Sequence, residues 1–491
     1  MYNQLASPVS AKSIRAQRKS DYQPALSQAP EWPGRLEWSV AILLTVVVIV
    51  LPMLLVIDPV SYLLFILEDS LGEMTSFSAF AVAGLIFLLR TWDDRKTPKN
   101  YWYLLFAVIA FFLAGEEISW GQRIAQVSTP DFLRELNAQG EINLHNLSAS
   151  AMQGTYLVIT AALFCYGVLL PIVYRFSRPV RGLIDTLGLP VPALVLMPLF
   201  AAPVLIWTGP NIVRNDEIVE LIIAMGMFGI AIFEVDNLKW LARSRRLALR
   251  PNVGLLLAGL AFCFLAGGML AGLTSFGTPY ERQMFMAAKY QLPNAGYVRE
   301  AGVVLGHLEQ MPEYGHSPLF LVTKGRNEIR QGFQSEATRT LTSARDIALR
   351  QLPERQGQFS HQLLLAEIHT LLGEQESARQ RAESALTILE SASRAQPAIA
   401  VSESANDDIA QDKIRRGNVY FAIQNHQTAF DHYVDAATVA HWSSTRLKIS
   451  RKLGQVIASC SGRPYAALTW EETEALAASG PGALSRYADC Q

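Results

Sequence analysis

The sequence predicts an all-α protein: a seven-helix transmembrane bundle followed by a helical-hairpin solenoid on the periplasmic side. Three observations predict it. The chain has 491 residues, half of them hydrophobic, and the apolar residues concentrate before Gly277. Lys and Arg alternate between successive loops of that first half. Small residues and alanines recur at fixed offsets in the second half.

Residues 1–36 are polar, rich in Ser, Gln, Ala and Pro, and carry Lys12, Arg15, Arg18 and Lys19. That composition predicts a disordered cytoplasmic tail. The apolar stretch 38–57 is too long for a signal-peptide core and has no small-residue cleavage site after it, so it is expected to stay as the first span. A bilayer core needs about 20 apolar residues per helix. On that length the transmembrane domain is 37–276, with spans 38–57, 74–91, 101–120, 153–175, 190–208, 217–235 and 252–276. Ser61–Leu67 is apolar but too short to cross, which suits a segment at the membrane surface or re-entering it. Pro190, Pro192, Pro198 and Pro203 interrupt the fifth span. Gly268 and Gly272 form a GxxxG pair, read as internal packing.

Basic residues set the orientation. One set of loops holds Arg90, Arg95, Lys96 and Lys99, then Arg175, Arg178 and Arg181, then Lys239, Arg243, Arg245, Arg246 and Arg250. The alternate loops hold only Arg123, Arg134 and Arg214. The basic side is therefore the cytoplasmic one, and seven spans leave the C-terminus outside. This predicts a multi-pass bacterial inner-membrane protein with a cytoplasmic N-terminus. The net charge of −1 gives no field for nucleic acid. Cys165 and Cys263 lie in apolar stretches; Cys460 and Cys490 lie where a periplasmic location would let them pair or leave them as free thiols.

The same outer face gathers acids. Glu68, Asp69 and Glu73 follow the first span, Glu116 and Glu117 close the third, and Asp216, Glu217 and Glu220 open the sixth. Glu116 and Glu117 stand about one helical turn inside Trp120, where a carboxylate costs on the order of 2–3 kcal/mol. On a continued helix Glu116, Ser119 and Arg123 would share a face. Glu116, Glu117, Arg123 and Glu220 are therefore the candidate catalytic groups. Glu117 and His145 are the candidate ligands of a divalent metal. The residues fit three chemistries: metal binding, acid–base work on a lipid-linked substrate, or a cation path. They equally fit bland roles, with Asp216 and Glu217 as acids at a helix start behind an Asn215 cap, and Glu116 as the ion-pair partner of Arg123.

The second half divides into connecting helices 277–316, repeats 317–455 and a C-terminal cap 456–491. Turns at Gly332, Gly373 and Gln424–Asn425 align Ala337 with Ala378 and Ala429, and Ala344 with Ala385 and Ala436. Twelve residues before each first alanine stand Gly325, Ala366 and Gly417. This pattern resembles the tetratricopeptide repeat. The resemblance implies a right-handed stack of helical hairpins with a concave face for protein partners. Here the repeats are 41 and 51 residues apart, against a family period of about 34.

The membrane half is similar to a set of bacterial multi-pass proteins that carry a GEEISWGQR-type string and an NLHN-type string, here Gly115–Arg123 and Asn143–Asn146. That likeness names no chemistry. Acids in the first outer loop ahead of a distal repeat domain are also similar to membrane glycosyltransferases that use polyprenyl phosphates. This chain has fewer spans and no paired-acid motif, so the likeness implies no residue roles. Two functions are expected from the sequence: a membrane anchor presenting repeats to a periplasmic protein, or a metal-dependent or acid–base enzyme at the outer leaflet.

Overall fold

The computed structural model describes residues 33–67, 69–93, 99–122, 127, 129–130, 142, 149–209, 212–235, 251–274, 280–395, 403–440, 443–461 and 468–479. Every element among them is helical. The first half contains α1 (Arg35–Ile57), α2 (Pro59–Ile66), α3 (Leu71–Asp93), α4 (Lys99–Glu117), α5 (Ala149–Phe164) and α6 (Leu170–Phe176). It continues with α7 (Arg178–Leu187), α8 (Met197–Thr208), α9 (Asn215–Val235) and α10 (Pro251–Thr274).

Four described stretches are long and apolar enough to cross a membrane: Arg35–Ile57, Leu71–Trp92, Leu157–Phe176 and Gly254–Gly272. Their outward faces are greasy. Ile42 is 64 % exposed, Val158 68 %, Leu265 71 % and Met269 72 %, an apolar surface that water does not tolerate over such an area. The other three expected spans form helices that fall short of that test. α4 has 19 residues and ends on Glu116 and Glu117. α8 has 12 residues and starts on a proline turn. α9 carries Asp216, Glu217 and Glu220 in its first two turns.

α9 is the central helix. Ile218, Val219, Leu221, Ala224, Phe228 and Ala231 are all buried, and α9 packs against α3, α8 and α10. A helix apolar on every side is one with neighbours on every side. α10 crosses α3 at Gly267, where a Cβ would stand 2.8 Å from the Thr75 backbone nitrogen and 2.9 Å from its Cα. This corrects the GxxxG reading. Nothing lies within 4 Å of a Cβ at Gly272, and only a Leu71 methyl at 3.6 Å from one at Gly268. One position along a helix turns the side chain by about 100°, so the glycine at the crossing is the one before the pair.

The two halves share one core. Connecting helices α11 (Tyr280–Met286), α12 (Leu292–Asn294), α13 (Val298–Glu309) and α14 (Pro312–Gly315) come after the last span. α13 packs on α2, whose Tyr62 and Leu63 are fully buried. The short apolar segment after the first span is thus a wedge between the bundle and the connecting helices. Apolar packing continues without a break from Val40 to Ile368.

Three hairpins come next: α15 (Pro318–Arg330) with α16 (Gln334–Arg355), α17 (Phe359–Leu371) with α18 (Gln375–Ala395), and α19 (Glu403–Ala422) with α20 (His426–Ala437). All six aligned alanines are buried. At Gly417 a Cβ would meet the Tyr433 ring at 2.5 Å, so this helix crossing admits no side chain. α21 (Ser443–Ser461) and α22 (Trp470–Ser479) close the stack over a second core.

Candidate functional site

The Gly115–Gln122 string is folded into a hook. α4 stops at Glu117, and Ser119, Trp120 and Gly121 take left-handed φ values of 46°, 54° and 73°. Such values are costly for non-glycine residues and persist only where the surroundings enforce them. The reversal lays the Trp120 ring over Gly115, where a Cβ would stand 2.9 Å from the ring. Trp120 Nε1 then donates to Glu116 Oε1 at 2.7 Å, and Phe112 packs edge-on at 5.6 Å. The helix ends before Ser119, so the expected helical face does not run on from Glu116 to Ser119. Gln122 binds the segment that follows: its Nε2 donates to Thr129 Oγ1 at 2.7 Å, and its Oε1 accepts from Ile142 N at 2.6 Å. Arg123, His145, Glu68 and the rest of the Asn143–Asn146 string lie outside the described residues.

Two further turns take left-handed φ values. Arg214 has φ 58°, stands before α9 in the place expected for an Asn215 cap, and pairs with Glu217. Asp69 has φ 58°, and its backbone nitrogen donates to Glu73 on the first turn of α3. Two tyrosines tie the turns down. Tyr62 donates to Val213 O, and Tyr280, past the last span, donates to Asp69 O at 2.8 Å.

Glu116 and Glu117 are 6 % and 8 % exposed. Glu117 has no hydrogen-bond or ion-pair partner among the described residues. Glu220 acts on it most strongly among the charges, followed by Glu73, Glu217 and Glu116. The structure thus brings together carboxylates from α3, α4 and α9 that are spread over 147 residues of chain, from Glu73 to Glu220. Of the sequence candidates, Glu116, Glu117 and Glu220 converge. Among the described residues no three His, Cys, Asp or Glu side chains are placed to hold one metal ion.

A second charged site was missed in the sequence. Lys289, in the π-helical turn Ala287–Gln291, and Arg326 on α15 lie close enough to Lys452 on α21 to act on its charge. Burial, with Arg326, Lys289 and Lys448 alongside, pushes the Lys452 ammonium down to about 8. Burial, then Arg330, pushes the Arg326 guanidinium down to about 10. Arg326 pairs with Glu367. Lys289 and Lys452 pair with no carboxylate among the described residues; they lie over rings instead, Lys289 Nζ 5.0 Å from Tyr290 and Lys452 Nζ 6.0 Å from Phe421. Nothing local signals this cluster, since 163 residues separate its ends.

Cys460 is disulfide-bonded, and Cys165 and Cys263 are free; Cys490 lies outside the described residues. No protein-family model, curated protein or solved structure matches this chain.

Proposed function

We propose that this chain is a seven-span inner-membrane protein that holds a tetratricopeptide-like domain in the periplasm and uses it to bind an acidic segment of a partner protein. The observation that carries the reading is the cation cluster that Lys289 and Arg326 form with Lys452 in the hairpin half of the chain. Like charges held together at a half-buried surface cost folding energy, and an anionic partner removes that cost on binding. The loop charges support the outside location, and so does the disulfide at Cys460, a bond that persists in oxidising compartments.

The test is photocrosslinking in living cells. A crosslinking residue at Tyr290 or Tyr420 should give one discrete adduct, lost in Lys452→Glu. The same residue at Thr342, on the opposite side of the hairpins, should give none. Equal labelling of both sides, or an adduct indifferent to Lys452→Glu, would sink the reading. A C-terminal reporter that is active only outside the cytoplasm tests the topology separately.

A second reading is a membrane enzyme acting on a lipid or lipid-linked substrate. Its support is Glu117, buried and unpartnered among carboxylates. If Glu117→Gln and Glu220→Gln leave crosslinking intact but abolish the cellular phenotype, the acidic site has a task of its own.

A further inference from the structure

A cavity of about 630 Å³ lies where the membrane half meets the hairpins, within the size range of small-ligand sites. The end of α1 and the start of α2 form one wall, α13 a second, and α15 with its following turn a third. Its rim is apolar and open: Val56 is 61 % exposed, Ile57 67 %, Val303 55 % and Phe333 52 %. Its depth is polar and unsatisfied. Asn327 is only 3 % exposed, yet its Oδ1 has no hydrogen-bond partner. Glu328 Oε2 is buried and equally unpartnered. Lys324 does not satisfy it, because its ammonium lies 2.6 Å from Glu309 and 3.9 Å from Glu328. Arg299 lines the same cavity and has no ion-pair partner among the described residues.

Stranded buried acceptors call for N–H or O–H donors. Two acceptors lining one cavity, one of them a carboxylate, suit a primary ammonium with its three donors. A free guanidinium nearby suits a phosphate. The rim suits hydrocarbon, and it sits at the end of a span, the depth at which headgroups lie.

We propose that this cavity binds the headgroup of an amine-bearing phospholipid, the ammonium between Asn327 and Glu328 and the phosphate at Arg299. The assignment rests on α1 as a membrane span and is independent of any protein partner. A choline headgroup has no N–H to give, and a glycerol headgroup has no cation.

The test is native mass spectrometry of the full chain, purified in mild detergent and offered equal amounts of phosphatidylethanolamine, phosphatidylcholine and phosphatidylglycerol. The amine lipid should be retained about tenfold over the other two, the scale set by leaving a buried acceptor unmade. Glu328→Gln should reduce that preference to about twofold or less. Arg299→Gln, at an exposed position that folding does not depend on, should weaken all three lipids together. Soluble glycerophosphoethanolamine at the same concentration should displace nothing, because it lacks the hydrocarbon the rim holds. Equal retention of the three lipids, no retained lipid, a preference unchanged in Glu328→Gln, or displacement by the soluble headgroup would each overturn the proposal. The readout needs no partner, so its failure is distinguishable from failure of the interaction reading.

Discussion

Gly267→Ala is the sharpest probe of how the membrane half is built. The added methyl would stand 2.5 Å from Thr75 Oγ1, 2.8 Å from Thr75 N and 2.9 Å from Thr75 Cα. Two of those atoms are backbone, and the hydroxyl is held to Leu71 O at 2.6 Å, so no side-chain rotation relieves the clash. The helices must part by about half an ångström, an overpacking cost of about 1–3 kcal/mol. Alanine regains up to ~1 kcal/mol of helix propensity over glycine. The net expectation is a loss of about 1–2 kcal/mol, and about 3 for Gly267→Val on the same scale. Gly272→Ala is the control, since it meets nothing within 4 Å and should be neutral or slightly stabilising. Unfolding in mixed micelles, with Trp fluorescence as the signal, measures all three variants. A Gly267→Ala protein as stable as the parent, or a Gly272→Ala protein less stable than it, would refute the assigned crossing.

Other outcomes rest on contacts of the same kind. Trp120→Phe keeps the ring over Gly115 but removes the donor to Glu116, and should cost about 1.5–3 kcal/mol in the same unfolding assay; no loss would mean that the indole bond does not hold the hook. Lys452→Met keeps the stem and removes a cation repelled by Arg326 and Lys289, so the thermal midpoint should rise; a fall would show the charge to be structurally required. His361, His426 and His432 are all held below the ordinary imidazole value, chiefly by burial. The unfolded chain therefore takes up protons first, and the stability of the hairpins should fall as pH drops below about 6.5. A thermal midpoint flat from pH 7.5 to 5 would contradict this. Cys460→Ser should cost about 2–4 kcal/mol, and adding reductant to the parent should match it; a difference between the two would point to a role for the serine itself.

The apolar stretches were legible because lipid demands them continuously: α1, α3, the α5–α6 pair and α10 announce themselves by length alone. α9 was harder to read because a helix sheltered by others escapes that demand. α9 keeps three acids in its first two turns and still forms the centre of the bundle. The acids themselves were visible, since a carboxylate beside an apolar run is conspicuous. Their relation was not. Sequence treats Gly115–Arg123 as one helix, whereas a glycine five residues before a tryptophan permits the chain to double back. That reversal brings an indole N–H onto Glu116, a partner that a continued helix would not supply. The cluster at Lys452 depends wholly on how the hairpins stack, and single repeats carry no trace of it.

The hydroxyl of Tyr280 reaches Asp69 across 211 residues of chain, and that of Tyr62 reaches Val213 across 151. Neither bond can form while the ribosome is still early in the message. The turn at Asp69 must be made, left open through the synthesis of every later span, and closed only when Tyr280 emerges. The acidic end of the bundle is thus sealed by the segment that starts the helical second half.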